Sequence, residues 1–76
     1  MIIAIDFDGT LDRDSHLWGE FIDLAKTIGH RVICVTARRE TEENIETIER
    51  WMSANAIDLP VYYTSLAPKP QYMAFR

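Results

Sequence analysis

Asp6 and Asp8 stand two residues apart and run directly into Gly9 and Thr10. Two carboxylates held this close repel each other, and a chain keeps them where a cation or a proton compensates. As a plain alternative, a carboxylate pair beside a glycine can serve only to form a turn or a cap. Two further groups have types suited to handling an anion. Thr36 follows an apolar run, and Lys69 sits between Pro68 and Pro70. A strand-end threonine can also simply bond its own turn, and a loop lysine can simply be solvated.

The elements that must position these groups can be read from the pattern. Residues 2–6 are apolar and mostly β-branched, which predicts a strand buried on both faces, as in a parallel sheet. The carboxylates then fall at its C-terminal end, where open α/β sheets bind ligands. Residues 12–15 form a polar loop, with Ser15 as N-cap of a helix starting near His16. Leu17, Phe21, Leu24, Ala25 and Ile28 recur at helical spacing and predict its buried face, with Gly29 ending it. Residues 31–36 predict a second strand ending in Thr36. A second helix follows, capped by Thr41, with Ile45, Ile48 and Met52 inward, Trp51 at the edge and Asn55 as terminator. Glu42, Glu43 and Glu46 suit the positive end of that helix. Residues 60–64 predict a third strand, and Pro70 could open a last helix.

With 76 residues, the chain supports one small domain, 1–76. A chain of this size buries only roughly 60–65% of its unfolded surface, so its stability is marginal. The composition, 47% hydrophobic and 26% charged, is that of a globular protein. A net charge of −4 argues against nucleic acid as a partner, except as a phosphorylated substrate. The single cysteine, Cys34, excludes an internal disulfide and suits a reducing, cytoplasmic setting. No stretch is long and apolar enough to span a bilayer, and Asp6 and Asp8 interrupt any signal-peptide core. Arg38 and Arg39 read as solvated or paired with the nearby glutamates, although they could touch a substrate phosphate.

The order Asp-x-Asp-Gly-Thr, an apolar strand ending in Thr, then a Pro-flanked Lys resembles the haloacid dehalogenase-like (HAD) superfamily of phosphohydrolases. The resemblance implies a minimal Rossmann-like three-layer α/β fold, with a short parallel sheet of three strands in order 1-2-3 and flanking helices. It implies Mg²⁺ as cofactor, held by Asp6 and Asp8, and a phosphorylated substrate. Asp6 would attack phosphorus to give an aspartyl-phosphate, and Asp8 would act as acid and then base. Phe7, Asp8, Gly9, Thr36, Ala37 and Lys69 would bind the phosphate, with Thr36 donating its hydroxyl and Lys69 offsetting charge. Hydrolysis and transfer to another acceptor use the same residues, so a phosphotransferase stays open.

The family pattern continues with a fourth strand bearing acidic residues, but no Asp or Glu follows Asp58. Losing such a metal-supporting acid typically costs about 10–100-fold in metal affinity or activity. An inactive remnant that serves as a binding or oligomerisation module, or a truncated relative of a longer enzyme, is the competing expectation. Without a fourth strand the first strand would be an open apolar edge, and a homo-oligomer paired through that edge is expected. The loops are too short for a cap domain, so the site would be open.

Overall fold

The computed structural model describes residues 1–65 and the backbone of residues 73–75. The first strand, β1 (Ile2–Asp6), leads through one turn of 3-10 helix (Leu11–Arg13) to α1 (Ser15–Thr27). Then come β2 (Arg31–Thr36), α2 (Glu42–Ala54), β3 (Val61–Tyr63) and β4 (Met73–Phe75). All neighbouring strands are parallel, and the sheet order is β3-β2-β1-β4.

The expected order 1-2-3 holds. The strand count differs: β4 adds a fourth strand on the other side of β1, pairing Ile3, Ala4 and Ile5 with Met73, Ala74 and Phe75. A strand therefore stands where the last helix was expected to run. The edge of β1 predicted to seek a second chain is occupied over those three residues. The acid-free sequence after Asp58 is thus no obstacle to a fourth strand, because ladder pairing is made by backbone.

Strand alternation sets the layering of the described residues. It sends Ile3, Ile5 and Phe7 of the first strand segment, with Val32 and Cys34 of β2, into one core. Ile22 and Ala25 of α1 and Ile48 and Met52 of α2 belong to that same core. Both helices therefore cover one face of the sheet, and the described residues make up two layers of the expected arrangement. The cause is handedness. The steps β1 to β2 and β2 to β3 run in the same direction, so two right-handed crossovers must lie on the same side. On the opposite face Ala4, Ile33 and Val35 form a second, smaller buried cluster.

Helix ends follow local chemistry. Asp14, not Ser15, caps α1, its carboxylate accepting from the Leu17 amide at 3.0 Å. Aspartate and serine are comparable caps, and Ser15 becomes the first helical residue. Thr41 caps α2 as expected, accepting from Asn44 N at 3.2 Å. Both helices stop in the same way. Gly29 N donates to Lys26 O and His30 N to Ala25 O; Ala56 N donates to Ser53 O and Ile57 N to Met52 O. This is the Schellman pattern, which needs a left-handed residue after the cap. Gly29 supplies it at φ 94°, as expected, and Ala56 supplies it at φ 54°.

The buried face of α1 is rotated from the predicted one. Ile22 and Ala25 are buried and Trp18 and Phe21 partly so, while Leu17, Leu24 and Ile28 are 56–63% exposed. The apolar arc on α1 is wide, so the predicted Phe21 and Ala25 do face the core while the predicted Leu17, Leu24 and Ile28 lie outside it. On α2, Ile48 and Met52 are buried with Trp51 at the edge, as predicted, while Ile45 is only partly covered.

Candidate functional site

Because the strands are parallel, Asp6, Thr36 and Tyr63 end β1, β2 and β3 on one edge of the sheet. Phe7 N continues the ladder, donating to Val35 O at 2.9 Å, and buries its ring edge-on against Trp51 at 5.4 Å between centroids. This anchors the turn that follows. Gly9, at φ 81°, takes a conformation that glycine adopts without strain. Its N–H donates to Asp12 Oδ1 at 2.8 Å, and Thr10 N and Asp12 N donate to Phe7 O. The turn thus presents the Asp8 carboxylate toward β2.

There it meets Thr36, a buried polar side chain at 1% exposure. Thr36 Oγ1 donates to Asp8 Oδ2 at 3.4 Å and accepts from Arg38 N at 3.1 Å. The Thr36 carbonyl accepts from both Thr64 N and Thr64 Oγ1, tying the end of β3 to the same place. Arg38 dominates the electrostatics. Its Nε and Nη2 donate to the two Asp8 oxygens at 2.8–3.2 Å. Its Nη1 donates to Asn44 Oδ1 at 3.3 Å, and its guanidinium lies 5.7 Å from the Phe7 ring centre. Asn44 is itself fixed, its Nδ2 donating to Arg39 O at 2.9 Å.

The Arg38 hydrogen bond, against a smaller burial penalty, holds the Asp8 carboxyl below its ordinary range. Asp8 is thus presented as a carboxylate acceptor, the form of a base. Burial pushes the Cys34 thiol up to about 12, with the Asp6 and Asp8 charges adding to the effect, so Cys34 is an inert core residue.

Among the expected site residues, then, Asp8 and Thr36 are in contact. Asp6 is partly buried and belongs by alternation to the strand face of Ala4 and Val35, opposite that of Thr36. The phosphate cradle expected of Phe7 and Gly9 has its donors engaged inside the fold, in the ladder and on Asp12. Ala37 is exposed beside Thr36. Lys69 lies outside the described residues. Among the described residues no three His, Cys, Asp or Glu side chains cluster as a metal site. His16 pairs with Glu20, and His30 meets the N-terminal amine.

The residue that sequence reasoning passed over is Asn44. For Arg38 the favoured reading, solvent or the nearby glutamates, gives way to a pairing with Asp8. The available signal was its position two residues beyond a strand-end threonine on an edge already holding a carboxylate.

No family model, curated protein or solved structure matches the chain. No helix among the described residues is long and apolar enough to cross a membrane.

Proposed function

We propose that the chain is a capless phosphomonoester hydrolase of the HAD type. The observation that supports this reading most is the meeting of Asp8 and Thr36 at the C-terminal ends of adjacent parallel strands, one strand residue away from Asp6. In this reading the Asp6 carboxylate attacks phosphorus and the bond to the leaving oxygen breaks, giving an aspartyl-phosphate. Asp8 handles the proton of the leaving oxygen and then of the attacking water. Thr36 donates its hydroxyl to the phosphoryl group, and Lys69 offsets charge. Asp6 and the Asp8 carbonyl, hard oxygen donors, would hold Mg²⁺, whose chemistry there would be neutralisation of phosphoryl charge. The single buried thiol agrees with a cytoplasmic setting.

The test is Mg²⁺-dependent hydrolysis of an aryl phosphate by the wild type and by Asp6→Asn. We expect turnover in the first and loss to background in the second; equal rates in both would sink the reading. A second reading, a phosphate-binding module without turnover, is favoured by one observation. Arg38 holds Asp8 ionised, whereas the leaving group needs a proton donor.

A further inference from the structure

The contact between Arg38 and Asp8 is a fork. Two guanidinium nitrogens on one side meet two carboxylate oxygens at 2.8–3.2 Å. A phosphoryl group offers the same pair of acceptors with more charge, and the planar guanidinium matches both. Arg38 also has contacts apart from Asp8. Asn44 holds Nη1 from the α2 side, and the Phe7 ring lies beneath. The pair is also open to solvent, with 32% of the Arg38 and 48% of the Asp8 side chain exposed. Exposed ion pairs are worth only about 0–1 kcal/mol, so a competing dianion can displace one. The Thr36 hydroxyl points at the same Asp8 oxygen, so both donors already converge on one spot.

We propose that Arg38 is a phosphate-binding residue held in waiting by Asp8. It passes from the Asp8 carboxylate to the phosphoryl oxygens of a terminal phosphomonoester, which enters between Arg38 and the Thr36 hydroxyl. This rests on the phosphoryl reading above and deepens it in two respects. The ligand class is a terminal phosphate, with two acceptor oxygens free for the fork. The Asp8 carboxylate is released from its cation only when that ligand is seated. No bond is made or broken in the exchange.

The test titrates the full chain with inorganic phosphate. The Arg38 Nε–H resonance is followed in ¹H–¹⁵N spectra and the Kd is taken by calorimetry. We expect that resonance to move with the calorimetric Kd. Arg38→Gln should weaken phosphate by about 10-fold or more, the scale of one charge-assisted hydrogen bond. Asp8→Asn should tighten it, and tighten it much less when Arg38→Gln is also present, because no exchange then remains to be relieved. Absence of phosphate binding, a still Arg38 resonance at saturation, or an equal Asp8→Asn effect in both backgrounds overturns the exchange. The wild-type spectrum alone decides if a variant fails to fold. Failure of the two readings is separable. Asp6-dependent turnover with an unchanged KM in Arg38→Gln keeps the hydrolase and overturns the exchange. Coupled phosphate binding without turnover keeps the exchange and overturns the hydrolase.

Discussion

At the scale of single residues, the Asp8 carboxylate carries a pH dependence whose sign is fixed by its partner. Arg38 lowers the folded-state value below the ordinary 3.8. The stabilisation is therefore present above the unfolded value and is lost as pH falls through the lower folded one. Because the pair is half exposed, Arg38→Gln should cost no more than about 1 kcal/mol near neutral pH. That gap should shrink toward zero in strong acid, where both chains carry a protonated Asp8. Denaturant unfolding of the two proteins at neutral pH and in strong acid checks it, and a gap that widens in acid would contradict the pairing. The carboxylates were legible in the sequence because their spacing at a strand end is unusual. Arg38 was not, because an arginine in a charged stretch has many potential partners, and only the fold brings residues 8 and 38 together. Asp6 shows the converse. Its place on the opposite strand face from Thr36 follows from register, which pattern alone does not reveal.

At the scale of elements, the two helices make a matched comparison. Each ends in the same hydrogen-bond pattern, but one has Gly29 at the left-handed position and the other has Ala56. An alanine in that conformation is strained by roughly 1–2 kcal/mol relative to the right-handed region. Glycine relieves the strain but is freer in the unfolded chain. The net expectation for Ala56→Gly is a gain of about 0.5–1 kcal/mol, read as a rise in the denaturant midpoint with an unchanged slope. No such gain is available at Gly29. The strands β1 to β3 and both helices were legible to within a residue or two because their apolar periods differ. The face of α1 was legible only in part. Of the predicted stripe, Phe21 and Ala25 do pack inward, but Trp18 and Ile22 join them in place of Leu17, Leu24 and Ile28.

At the scale of the whole molecule, one small core on a single sheet face carries most of the burial. Ile48, fully buried, sits in it among residues from both helices and from β1 and β2. Ile48→Ala should cost about 2–5 kcal/mol. Native domains as a class hold only about 5–15 kcal/mol in reserve, and small chains lie at the lower end. A thermal or urea melt should therefore show either a large downward shift or a chain already partly unfolded at 25 °C. The two-layer arrangement concentrates that risk, since no second helix layer among the described residues shares the load. Fold class and strand order 1-2-3 were legible because a β-α-β-α-β pattern with short connections leaves few topologies. The fourth strand was hidden because three residues of backbone pairing leave almost no mark on composition.

The central position of β1 also bears on how the molecule assembles. Ile3 pairs with Val32 on one side and with Met73 on the other. The first pairing needs only one helix between its partners, so it forms among near neighbours along the chain. The second joins segments that every other element separates. Once β1, β2 and β3 are in place, most of that closure entropy has been spent, since doubling a loop adds only about 0.6 kcal/mol. The expected order of events is a β1-β2-β3 unit that forms from local contacts, with β4 arriving last, which pulse-labelled hydrogen exchange at Ile3 to Ile5 would check. Until β4 docks, one flank of β1 is bare.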